Sequence, residues 1–105
     1  MEKLYYTITE VAQMLEESPS LVRFWSNKYP RYVKPRRTAH GNRCYTAEDI
    51  AALREIHHLI RDLGMTHEGA MAKMAADRRT VAGKVQALER LKAVREQLQE
   101  IKSSL

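Results

Sequence analysis

The 105-residue sequence lacks features that several classes of protein require. A single cysteine, Cys44, excludes a disulfide within the chain and is typical of a reducing compartment. No apolar run approaches the roughly 18 residues of a membrane span, and no basic segment followed by an apolar one marks a secretory signal. We therefore expect a soluble, cytoplasmic protein with one small domain and an appendage.

The usual patterns of catalysis and metal binding are also missing. The sequence has no Gly-rich phosphate loop, and no Ser or Cys nucleophile is placed with a His base. His57 and His58 are neighbours about 100° apart around a helix, so they cannot chelate one ion together. His40 and Cys44 flank a turn without further ligands. We predict no enzyme activity, no metal site and no cofactor.

Acidic residues are absent from residues 18–45, which we call the basic block. The block carries seven of the 18 basic residues of a chain whose net charge is +5. These seven are interleaved with Phe24, Trp25 and three tyrosines. A local field of one sign with aromatic spacers is suited to a polyphosphate partner, so the block predicts contact with nucleic acid.

Two short helices precede the middle of the basic block. Thr7 and Glu10 form a capping-box pattern ahead of an apolar stripe that ends at Leu15. Ser18 and Pro19 are typical of a second helix start, with Ser as N-cap and Pro in the first turn. Two such helices joined by a tight turn predict a helix-turn-helix.

A small hairpin is predicted to follow as a wing. Its first strand is expected within Arg31–Lys34 between two prolines, and its second at Arg43–Tyr45 after a turn at His40–Asn42. Thr46 then caps a third helix that ends at Gly64, and Thr66 caps a fourth.

Apolar residues from position 81 onward recur at nearly heptad spacing. This seam consists of Val81, Val85, Leu88, Leu91, Val94, Leu98, Ile101 and Leu105. Because a small domain offers little surface to so long a helix, we expect the seam to form a coiled coil in a homodimer. A helix folded back on its own domain is the alternative. The predicted fold is mainly α: a winged helix-turn-helix domain with a two-stranded wing over residues 1–76, followed by a coiled-coil helix over residues 77–105.

Four motifs in this order resemble the MerR family of transcriptional regulators. They are Tyr6-Thr7-Ile8-x-Glu10-Val11-Ala12, Pro19-Ser20-Leu21-x-Arg23-Phe24-Trp25, Gly41-Asn42-Arg43-x-Tyr45-Thr46-x-x-Asp49-Ile50 and Gly64-Met65-Thr66-x-x-Gly69-Ala70. The resemblance implies a bacterial, homodimeric regulator with an antiparallel coiled coil. It also implies a roughly palindromic promoter site, distortion of that DNA and RNA polymerase as a partner. Since the helix pattern runs to the last residue, no separate effector-binding domain is expected.

Three groups of residues are predicted to contact DNA. The second helix offers Ser20, Arg23 and Phe24, while Trp25 is expected in the core. The wing offers Arg36, Arg37, Arg43 and Tyr45; packing beneath the wing is the alternative for Tyr45. In the family the third and fourth helices act as a second wing, which here implies Arg61 and Thr66; Thr66 as a helix cap alone is the alternative.

The sequence departs from the family pattern in two places. Glu16-Glu17 stands where the family usually has Gly and then an apolar residue in the turn between the helices. Ser26 stands where an acid often follows the Phe-Trp pair, which makes the expected DNA face more positive. Two other functions remain open on the sequence: an architectural or excisionase-like DNA-bending protein, and an adaptor that binds proteins through its coiled coil.

Overall fold

A computed structural model describes residues 4–104 of the chain, with side chains up to residue 100. It contains five α-helices, a short π-helical segment and three short strands within those residues. The elements are β1 (Tyr6–Thr7), α1 (Ile8–Leu15), α2 (Pro19–Lys28), β2 (Arg36–Arg37), β3 (Arg43–Tyr45), α3 (Ala47–His57), the π-helical segment (His58–Asp62), α4 (His67–Asp77) and α5 (Val81–Ser104). No helix in this part of the chain is both long and apolar enough to cross a membrane.

The first four helices begin at the predicted caps. Thr7, Ser18, Thr46 and Thr66 each accept a hydrogen bond from the backbone N–H three residues ahead. The capping boxes at Thr7 and Thr46 are complete, because the acid three residues on also accepts from the cap's own N–H. These helix starts are therefore confirmed.

The wing differs in part from its prediction. Its strands form an antiparallel sheet in the order β1-β3-β2, so the chain start adds a third strand that pairs Tyr6 with Tyr45. The first hairpin strand lies at Arg36–Arg37 rather than within Arg31–Lys34. The reason is a turn after α2, in which Val33 N–H donates to Tyr29 O at 2.9 Å and the Val33 side chain is buried.

The turn between α1 and α2 contains a left-handed residue. Glu16 has φ 56° and ψ 41°, and it is the single non-glycine residue with positive φ among those described. Its N–H bonds to Gln13 O, and the N–H of Glu17 bonds to Ala12 O, which together satisfy two of the carbonyls in the last turn of α1. Glu16 thus adopts the left-handed backbone conformation that Gly would adopt at this position.

One hydrophobic core joins the helices to the base of the wing. Helix α3 runs through its centre, with Ile50, Leu53 and Ile56 inaccessible to solvent. Trp25 from α2 is also buried, as predicted. The Asp49 carboxylate caps α3 and accepts from Lys34 N–H at 2.9 Å, which holds the loop before the wing against this helix.

Helix α5 folds back on its own domain, which corrects part of the predicted seam. Val94 and Leu98 were expected to face a partner chain, but they are only 1% and 4% exposed and pack into the core. Leu91 is partly buried beside them. The side chain of Ile101 and all of Leu105 lie outside the described residues. The first half of the seam remains open, since Val81, Val85 and Leu88 are 80%, 47% and 66% exposed.

The turn before α5 makes this return possible. Residues 78–80 break the helix, and Thr80 Oγ1 accepts from the N–H of Gly83 at 2.9 Å. A Cβ on Gly83 would lie 1.8 Å from the carbonyl oxygen of Asp77. Glycine at this position therefore lets the first turn of α5 approach the end of α4. The predicted division between residues 76 and 77 falls within the last turn of α4, and a separate dimerisation unit beyond it stays a prediction.

Candidate nucleic-acid interface

Helix α2 has one face in the core and one in solvent. Val22, Trp25 and Ser26 are buried, and the opposite face is polar and aromatic. The exposed residues are Pro19, Ser20, Arg23, Phe24, Asn27 and Lys28. Since the second helix of a helix-turn-helix enters the major groove, this face is the candidate recognition surface.

Arg43 joins the wing to this helix. Its Nη2 donates to Asn27 Oδ1 at 2.8 Å, so β3 and the last turn of α2 are held together. Its Nη1 atom is buried and has no hydrogen-bond partner in the described structure. The packing around this nitrogen and the bond to Asn27 therefore hold the guanidinium between β3 and α2.

Three arginines line one cleft between the wing and the helix-turn-helix. Arg23 comes from α2, Arg37 from β2 and Arg43 from β3. The cleft has a volume of about 690 Å³, and residues 5–10 also line it. The fold thus brings together cations that are up to 20 positions apart in the sequence.

The cations of the basic block are not neutralised by carboxylates. Within the described part of the chain, none of them forms an ion pair. Arg36 and Arg37 are exposed on β2, and Arg37 Nη1 donates to the carbonyl of Gly41 at the tip of the wing. Because their charge is free, these residues can replace the counterions of a phosphate backbone.

Tyr45 does not belong to the exposed surface, which corrects its predicted contact with DNA. Its side chain is 0% exposed, and its hydroxyl lies 3.0 Å from Ser26 Oγ. Ser26 Oγ in turn donates to Val22 O at 2.6 Å. Tyr45 shares its face of β3 with Arg43, since the two are two residues apart, and its hydroxyl contact with Ser26 fixes the wing to α2. Ser26, at the position where the family often has an acid, therefore has a packing role.

The second predicted contact lies at the end of α3. Arg61 is in the π-helical segment, where Leu63 N–H bonds to His58 O, and its guanidinium bonds to Glu17. Thr66 is exposed and accepts from Gly69 N–H at 3.1 Å, so it acts as a cap. The structure places Arg61 beside the turn that leads into α2, whereas Thr66 begins the next helix.

A histidine that the sequence reasoning missed connects α4 to the recognition helix. His67 Nδ1 lies 2.7 Å from Tyr29 Oη, and the imidazole makes edge contacts with the rings of Phe24 and Tyr29. Burial, and then the charge of Lys28, lower the pKa of His67 below 6.5. Burial raises the pKa of the Tyr29 hydroxyl above 10.0. The Phe24 side chain is half-exposed, and its ring packs against the His67 imidazole.

Sequence reasoning also missed Asn27 and Glu17 as partners of Arg43 and Arg61. Both bonds join residues that are 16 or more positions apart. No local pattern marks such a pair. In the described residues no group of three or more His, Cys, Asp or Glu could hold a metal ion.

Comparison with known proteins gives one family and one similar structure. Residues 6–77 match the family described as MerR HTH family regulatory protein. The fold is similar to the crystal structure of HiNmlR, a MerR family regulator lacking the sensor domain, bound to promoter DNA. The TM-score is 0.57 at 22% identity, over 96% of this chain and 78% of the other. No curated protein sequence gives a significant match.

Proposed function

The chain belongs to the MerR family of helix-turn-helix regulatory proteins, and from this premise we propose that it binds promoter DNA sequence-specifically and regulates transcription. The observation that carries the proposal is the cleft in which Arg23, Arg37 and Arg43 converge beside the exposed face of α2. Phosphate contacts from the wing would set the register, and residues of α2 would read base edges. That HiNmlR is bound to promoter DNA supports the same ligand for this chain.

We further propose that the protein acts as a homodimer on a roughly palindromic site and distorts the DNA. The exposed first half of α5, with Val81, Val85 and Leu88, supports a second copy as the partner. Two recognition helices related by a two-fold axis read half-sites about one helical turn apart, near 34–36 Å. Distortion of the promoter would bring both half-sites into reach at once, with RNA polymerase acting on the distorted DNA.

Substitution of the clustered arginines tests the interface. Arg23→Ala and Arg43→Ala are each expected to weaken binding to promoter DNA by ~1–3 kcal/mol if they read a base. If these arginines contact phosphate instead, each substitution should make the slope of log K against the logarithm of salt concentration shallower by about one. Lys92→Ala, which removes an exposed cation from α5, is the matched control and should leave both quantities unchanged. Equal binding by wild type and by all three variants would show that the cleft is not part of the DNA interface.

A further inference from the structure

We propose that Glu17 withholds the charge of Arg61 from DNA and so lowers the protein's affinity for the phosphate backbone. This inference rests on the proposed function. Glu17 is the acid that stands in the turn where the family usually has an apolar residue.

The ion pair between Glu17 and Arg61 engages both carboxylate oxygens. Arg61 Nε donates to Oε1 at 3.1 Å, and Arg61 Nη2 donates to Oε2 at 3.3 Å. His57 Nε2 lies 3.3 Å from the same Oε1. The Glu17 side chain is 18% exposed, whereas that of Arg61 is 53% exposed. The acid is therefore held in place from two sides, and the cation reaches into solvent.

The position of this pair places it at the candidate interface. Glu17 directly precedes Ser18, the cap of the recognition helix. The N-terminal end of that helix is the part that meets DNA in a helix-turn-helix. A phosphate approaching Arg61 would thus meet a cation that already has a carboxylate partner.

Because Arg61 is paired with Glu17, binding to DNA should release fewer counterions. The logarithm of the binding constant falls with the logarithm of salt concentration by about 0.9 for each phosphate that a protein cation neutralises. A guanidinium paired with a carboxylate brings almost no net charge to that exchange. Removing the carboxylate charge should therefore add about one to the salt slope and strengthen binding in moderate salt.

Glu16 provides a matched control one residue earlier. Glu16 is exposed, and among the described residues its carboxylate forms no ion pair. Glu16→Gln changes the net charge by the same amount as Glu17→Gln. Only Glu17→Gln frees Arg61. A double variant, Glu17→Gln with Arg61→Gln, removes the freed cation again.

The test measures fluorescence anisotropy of a 30-base-pair duplex of mixed sequence across a range of NaCl concentrations. Circular dichroism first verifies that each variant is folded. We expect Glu17→Gln to bind roughly five- to ten-fold more tightly at 0.1 M salt, with a slope steeper by about one. The double variant should return to the wild-type slope, and Glu16→Gln should change the slope by clearly less.

Two results would overturn the inference in different ways. If wild type does not bind the duplex even at low salt, the proposed function fails and the inference fails with it. If wild type binds, but Glu17→Gln has the wild-type slope or binds more weakly, the proposed function stands. In that case Glu17 orients Arg61 for DNA or only stabilises the turn.

Discussion

At the scale of single residues, Glu16 keeps an unfavourable left-handed backbone conformation in the turn between α1 and α2. A side chain in the left-handed region costs roughly 1–2 kcal/mol, because Cβ approaches the following carbonyl oxygen. Here φ is 56°, and the two backbone hydrogen bonds that close α1 depend on it. The turn geometry of the helix-turn-helix thus survives without the glycine that the family usually has.

Replacing this residue by glycine should stabilise the protein. We expect Glu16→Gly to raise the free energy of unfolding by about 1 kcal/mol, since the strain removed exceeds the added entropy of the unfolded chain. Gln13→Gly, in an exposed turn of α1 with ordinary helical geometry, should instead lower it by about 1 kcal/mol. Urea unfolding measures both. A destabilised Glu16→Gly variant would show that the glutamate side chain is needed in the turn.

His67 should make stability depend on pH. Its pKa is lowered in the fold by burial and by Lys28, so below pH 6.5 the unfolded chain binds a proton that the folded chain resists. This contribution to stability is complete above pH 6.5 and is lost as the pH falls. Thermal melts of His67→Gln between pH 7.5 and 5.0 should therefore show a smaller loss of Tm than those of wild type.

A second histidine variant controls for the other imidazoles. His40 lies in the exposed turn of the wing, so His40→Gln should leave the pH dependence of Tm close to that of wild type. If His67→Gln and His40→Gln lose stability equally on acidification, burial and the charge of Lys28 do not lower the pKa of His67 in the fold.

At the scale of elements, the return of α5 depends on the close approach of two helices at Gly83. Alanine there would favour the helix by about 1 kcal/mol from propensity alone. The Cβ would, however, lie 1.8 Å from a backbone oxygen, so the helices must separate. We expect Gly83→Ala to lower the free energy of unfolding by ~1–3 kcal/mol, as measured in urea.

Whether Gly83→Ala lowers or raises the free energy of unfolding decides whether α5 packs against the end of α4. Ala82→Gly, at the exposed neighbouring position, reports propensity without the contact and should cost about 1 kcal/mol. A Gly83→Ala variant that is more stable than wild type would mean that α5 does not pack against the end of α4.

The elements that sequence predicted best are those fixed by local interactions. The caps at Ser18, Thr46 and Thr66 bond three residues ahead, so their signal lies within one turn. The direction of Tyr45 and the bond between Arg43 and Asn27 depend on how the wing docks on α2, which no spacing encodes. The first wing strand was misplaced for the same reason, because residues 29–33 turn against the core.

The seam of α5 shows the limit of periodicity more clearly. An apolar stripe indicates that a face is covered, but it does not say by which surface. Here Val94 and Leu98 are covered by the chain itself, while Val85 and Leu88 are open. The charge pattern predicted the candidate site in outline. The pairing of Arg61 with Glu17 could be found only from the fold.

At the scale of the whole molecule, the open half of α5 should hold two copies together. Val85→Glu with Leu88→Glu is expected to convert a dimer into a monomer, because buried carboxylates in an apolar interface are strongly unfavourable. Sedimentation equilibrium measures the mass, and circular dichroism verifies that the monomer stays folded, since neither residue belongs to the core. A variant that retains twice the mass of one chain would place the dimer contact elsewhere.

The most direct test of the central claim is selection of bound duplexes from random DNA with the purified protein, followed by sequencing. We expect recovery of an inverted-repeat motif, lost when Arg23 and Arg43 are both replaced by alanine. DNA recovered without any motif would contradict sequence-specific regulation and favour an architectural role. Failure to recover DNA at low salt would contradict the nucleic-acid interface itself.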